Sequence, residues 1–163
     1  MVALKSSDVA AFLKSPDPAV ECILVFGNDA GLVAETARTM AHRLSLSSTP
    51  PGEIVRIEDG DLEGDGDRMI VELKTMQMFG GPKIVRTTAS RRITAASLKP
   101  LLDGGLTGRL IVEAGALKAD DALRALFEKS PKAIAVACYA DTVRDLEAVV
   151  REIMTAAKLS LTA

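Results

Sequence analysis

Short apolar runs rich in β-branched residues alternate along this chain with longer stretches whose apolar positions recur at helical spacing. Such alternation is the pattern of βα units wound around a parallel sheet. Five strands are expected: Ile23 to Phe26, Ile54 to Ile57, Lys83 to Thr87, Leu110 to Glu113 and Ala133 to Cys138. Helices are expected between them, and several have legible ends. Leu32 to Leu46 follows Asn28 and Asp29, which can serve the open amides of a first turn. Asp67 to Met76 follows the glycine-rich EDGDLEGDGD, with Asp67 as a candidate cap. Thr94 to Leu102 contains Pro100, which predicts a short or broken helix. Asp120 to Ser130 begins at an acidic pair and stops before Pro131. Val143 to Lys158 carries Leu146, Val149, Val150 and Ile153 at helical spacing and is followed by no further strand, as though it opens a second unit.

The 163 residues suit one ordinary domain with a short appendage, and 48% apolar residues are enough for a real core. A formal charge of -2 and an acidic isoelectric point argue against a dedicated nucleic-acid module, which needs basic excess to neutralise phosphates. Lys83, Arg86, Arg91 and Arg92 could touch DNA, but a solvated charged loop is the preferred reading. No leader-like start and no apolar run of about 18 residues is present, so a cytoplasmic protein is expected. Cys22 and Cys138 lie inside apolar runs and read as buried free thiols, giving neither zinc site nor disulfide.

The first strand runs into GNDAGL and a helix, the place where a P-loop protein carries GxxxxGK[ST] to wrap amides, a lysine and a hydroxyl around phosphates and magnesium. Leu32 and Val33 follow Gly31, so the lysine and the hydroxyl are missing and Gly27 and Gly31 read as turn glycines. The fourth strand ends LIVEAGAL, where an ATPase of this architecture would place adjacent acids; Glu113 stands alone and reads as a carboxylate bonded to a neighbouring loop. His42 is the only histidine and has no recognisable catalytic partner. DGDLEGDGD alternates carboxylates but lacks the closing glutamate of a calcium loop, so it reads as a solvated turn. No cofactor, metal or catalytic residue is expected. A receiver-like signalling domain would want an aspartate at the end of the third strand, where Thr87 and Thr88 stand.

The segment DRMIVELKTMQMFGGPK behaves differently. Met69, Leu73 and Met76 share one helical face and read as core, whereas Met78 and Phe79 fall off that stripe or into the turn made by Gly80 and Gly81. Large apolar residues at a turn mark a partner site or else fold back under the sheet, and both alternatives stay open from the residues themselves.

The succession LVFGNDAGLVAETA, MQMFGGPKIVR, LIVEAGALKADDALRALFEKSP, then AVACYAD and RDLEAVVREI, resembles the delta subunits of the bacterial DNA polymerase III clamp loader. The resemblance runs from about Cys22 onward, and MxMFGGPK and VEAGALK are its most specific segments. It implies an AAA+ domain, P-loop-NTPase-like in its layers, with strand order 5-1-4-3-2 over residues 1–140. A helical lid would begin in 141–163, and a collar domain would lie outside this chain. It also implies a non-catalytic subunit, within a complex that is a DNA-directed DNA polymerase. That subunit would bind the ring-shaped sliding clamp (the beta subunit), help open it for loading on primed DNA, and assemble with gamma/tau and delta prime. DNA would be met only indirectly, and no membrane is involved. The clamp-binding plug of the family corresponds here to Met76, Met78 and Phe79, with Met78 in place of the commoner leucine and Thr75 where glutamine is preferred. The alternative is a degenerate P-loop nucleotide-binding enzyme.

Overall fold

The computed structural model describes residues 4–5, 8–139, 150–151 and 153–155. Six strands form one parallel sheet: β1 (Leu4–Lys5), β2 (Cys22–Phe26), β3 (Gly52–Ile57), β4 (Gly81–Thr88), β5 (Arg109–Ala114) and β6 (Ala133–Ala137). Their order is β1-β6-β2-β5-β4-β3. The five expected strands therefore lie in the expected order, and β1 adds a sixth beyond β6, pairing Leu4 with Val136. Two residues carry no periodicity, which is why the pattern of apolar positions did not reveal this strand.

The helices are α1 (Val9–Lys14), α2 (Ala30–Leu46), α3 (Arg68–Lys74), α4 (Ala95–Gly104) and α5 (Ala122–Lys129), with a 3-10 turn over Asp59–Leu62. They make two outer layers. Ile23, Val25, Ile84, Ile111, Ile134 and Val136 face Val33, Ala37, Met40, Ala41 and Leu44 of α2 and Val9 of α1. Leu24, Phe26, Val85, Leu110, Val112 and Ala135 face Met69 and Leu73 of α3, Leu98, Leu101 and Leu102 of α4, and Leu123 and Phe127 of α5. A strand covered on both sides must be apolar at every position rather than at alternate ones, and CILVF of β2 is buried throughout.

Caps follow backbone geometry. Asp29 and Asp121 have extended backbones, so their carboxylates reach forward to Leu32 N at 2.9 Å and to Leu123 N at 2.9 Å. Asp67 also precedes a helix, but its backbone is already helical (φ -92°, ψ -3°) and its side chain caps nothing, contrary to expectation. Pro100 does not break α4, which runs ten residues through it. Thr94 and Ser97 cap its start reciprocally, Leu98, Leu101 and Leu102 are buried, and Ala96, whose carbonyl loses a bond to the proline, lies on the exposed side. Cys22 and Cys138 are buried free thiols, and burial pushes Cys22 up to about 12. The expected helix from Val143 to Lys158 lies largely outside the described residues; Val150, Arg151 and Ile153 to Thr155 within it are helical.

Candidate functional site

α3 stops sooner than its periodicity predicts, and this decides the site. The amide and the hydroxyl of Thr75 both donate to the Val71 carbonyl, while Thr75 itself is already extended (φ -78°, ψ 122°). Leu73 and Lys74, which end the helix, offer carbonyls to residues from another part of the chain: Thr107 N and Gly108 N donate to Leu73 O at 3.0 and 2.9 Å, and Thr107 Oγ1 to Lys74 O at 3.3 Å. Met76 is thus not on the buried face with Met69 and Leu73 but on the loop beyond it. Helical extrapolation placed Met76 in the core; the helix has ended before it.

Residues 75–80 form this loop between α3 and β4, and Met76, Met78 and Phe79 are 79%, 86% and 90% exposed. Of the two alternatives for Phe79, the chain adopts the outward one. The loop is nevertheless held. At its far end Gly81 N donates to Pro51 O at 3.3 Å, and a side chain at Gly81 would collide with the Pro50 carbonyl and Gly52 N. In its middle Gln77 Nε2 donates to Glu53 Oε2 of β3 at 2.6 Å. No signal in the sequence links positions 53 and 77, and this contact is the part of the site that sequence reasoning missed.

The phosphate-loop position lies at the opposite end of the sheet, because Gly27 follows the C-terminal end of β2 whereas the 75–80 loop precedes the N-terminal end of β4. Here only Gly27, Asn28 and Asp29 separate strand from helix. Gly27 is not simply a turn residue: a Cβ there would overlap the Cys138 carbonyl, so the glycine allows β2 and β6 to converge. Gly31 is not in a turn at all, being the second residue of α2. The Asp29 carboxylate occupies the N-terminal end of α2 by accepting from Leu32 N, the very amide region that would face a phosphate. The two glycines expected to mark a degenerate phosphate loop are therefore a packing residue and a helical residue.

Glu113 bonds to strands, not to a loop. Its Oε1 accepts from Arg86 Nη2 at 2.7 Å, Arg86 Nε at 3.2 Å and Arg56 Nη1 at 3.1 Å, tying β5 to β4 and β3. Arg56 also bonds Glu58 and Thr88, and the Glu58 hydrogen bond is the main reason its guanidinium titrates above the ordinary value. Asp59 in the acidic segment is lowered to about 2, chiefly by the Ser90 hydroxyl and then by the Arg92 amide at 2.9 Å. Within that segment Asp59 and Asp61 are thus committed to neighbours rather than simply solvated, Asp61 pairing with Arg68 at 3.3 Å. Lys83 and Arg86, weighed as DNA contacts, are bonded to Glu72 and Glu113, and Arg92 to Asp59. Among the described residues no cluster of three or more His, Cys, Asp or Glu could hold a metal, and no helix is long and apolar enough to cross a membrane.

Solved structures share this arrangement. The Bacillus subtilis DNA clamp loader delta protein (YqeN) superposes with a TM-score of 0.65 at 14% identity, over 93% of this chain and 47% of that one. The likeness is one of fold, a layered α/β arrangement around a parallel sheet. Domain III of the Thermotoga maritima replication initiation protein DnaA matches with a TM-score of 0.51 at 10% identity, over 96% of this chain and 70% of that one. A DNA polymerase III gamma subunit-related protein from Thermotoga maritima matches with a TM-score of 0.50 at 12% identity, over 90% and 49%. The chain thus spans about half the length of the clamp loader delta protein that it resembles. Neither the protein-family models nor the curated proteins give a match. At these identities the likeness establishes a shared fold alone; the function is argued from the site.

Proposed function

We propose that this chain is the AAA+ part of a clamp-loader delta subunit, and that it grips the sliding clamp through Met78 and Phe79, with Met76 beside them. The observation that carries the reading is the exposure of these three side chains on a loop anchored at both ends, in a protein with only four phenylalanines. An exposed aromatic on an ordered loop offers a partner apolar area without the cost of ordering the segment first. Burying each side chain in a clamp pocket would contribute about 1.5–3 kcal/mol before the costs of association. Two further points support it. The segments resembling the delta subunits run through this same loop, and a clamp loader delta protein shares the fold.

In this reading the chain performs no chemistry. The phosphate-loop position lacks lysine and hydroxyl, and the Asp29 carboxylate stands where a phosphate would need amides. Opening of the clamp ring would draw on ATP hydrolysed by partner subunits of the gamma/tau kind, with delta prime completing a cytoplasmic assembly. Contact with DNA would be indirect.

The test is calorimetry of this chain against the sliding clamp of the same organism, for the wild type and for Met78→Ala/Phe79→Ala. Saturable binding that disappears in the double variant at unchanged melting temperature supports the proposal. A folded wild type that does not bind overturns it.

A further inference from the structure

A hydrogen bond joins the loop that carries Met78 and Phe79 to the edge strand of the sheet. Gln77 lies between the two methionines, and its amide is turned away from them onto Glu53 of β3, at 2.6 Å from Nε2 to Oε2. Gly80 completes the arrangement, because a Cβ at that position would overlap Oε1 of the same Gln77 amide. The loop has one fixed end at Thr75, bonded to Val71 O, and another at Gly81, bonded to Pro51 O. Among the described residues the Gln77 to Glu53 bond is the one side-chain hydrogen bond that ties the four residues Met76 to Phe79 to the rest of the fold. Gln77 is half-buried beside β3, whereas Met76, Met78 and Phe79 around it are exposed.

Resting on the clamp-gripping reading, we infer that Gln77 and Glu53 are positioning residues: they hold the free loop in its binding conformation and touch the clamp pocket only through Met78 and Phe79. Gly80 keeps the space in which the Gln77 amide lies. The bond removes alternative loop conformations before encounter, and the affinity it supplies is a saving in ordering rather than a contact. A loop with its latch removed must be ordered by the partner.

The experiment compares clamp affinity in two settings, the whole chain and a synthetic peptide of residues 74–82, which has no Glu53. In the whole chain Gln77→Ala and Glu53→Ala should each weaken binding about three- to tenfold, the range of one ordinary hydrogen bond, since this one is exposed to solvent. The double variant should be no weaker than either single one, and the melting temperature should stay put. Glu53→Gln, which keeps an acceptor oxygen, should restore most of the affinity. In the peptide Gln77→Ala should change nothing. An equal loss in peptide and chain would show that Gln77 meets the clamp directly and overturn the inference, as would additive losses in the double variant. A wild-type chain that does not bind at all would instead defeat the clamp-gripping reading itself.

Discussion

Glu113 Oε1 stands 2.7 Å from Arg86 Nη2, joining β5 to β4 on the face that α2 covers toward its edge. Both side chains are nearly buried, and the same oxygen also receives Arg56 from β3, whose Cα partner is Arg86 itself. Two like charges on adjacent strands repel, so the carboxylate between them is what makes the pair tolerable. Glu113→Ala should destabilise the fold by about 2–4 kcal/mol, because it leaves Arg86 desolvated without a counter-charge. Denaturant unfolding measures this, and a loss below about half a kcal/mol would show that water replaces the carboxylate.

Gly27→Ala should cost about 3 kcal/mol or more, since the new methyl group would occupy the space of the Cys138 carbonyl, and backbone cannot yield there without parting β2 from β6. Gly31→Ala is the control. Its Cβ would meet only the Asp29 carboxylate at 3.3 Å, in a helix where alanine is favoured, so stability should be little changed or raised.

Asp59 carries a pH dependence whose sign is set by its lowered value of about 2, against an ordinary value of 3.8. The folded state prefers the charged carboxylate, so its contribution to stability is complete above about pH 4 and is lost as pH falls toward 2. Asp59→Asn should flatten the fall in melting temperature across that window. Ser90→Ala, which removes the leading cause of the shift, should raise the Asp59 midpoint seen by NMR.

Adding ATP with magnesium should leave the melting temperature unchanged up to millimolar nucleotide, given the carboxylate cap at α2 and the missing lysine and hydroxyl. A rise of several degrees would favour the degenerate nucleotide-binding enzyme instead.

The five strands were readable because a doubly covered parallel sheet needs apolar runs, of which CILVF and LIVE are examples, whereas their order came from the resemblance to the delta subunits. The helix starts at Asp29 and Asp121 were readable for the same local reason, a short acidic side chain next to open amides. β1 was not, because its two residues are a strand only by virtue of lying against β6.

The sequence by itself determined the layered α/β architecture, the lack of a lysine and hydroxyl beside Gly31, and the unusual composition of MQMFGGPK, since each depends on residue type and near neighbours. Only the tertiary structure decided where α3 ends, because the carbonyls of Leu73 and Lys74 are taken up by Thr107 and Gly108, more than thirty residues away. It therefore also decided that Met76 joins Met78 and Phe79 outside the core, that Gln77 is latched to Glu53, and that Glu113 serves two arginines on neighbouring strands. Contacts between residues far apart in the chain leave no periodicity along it, and those contacts shape the loop that we propose grips the clamp.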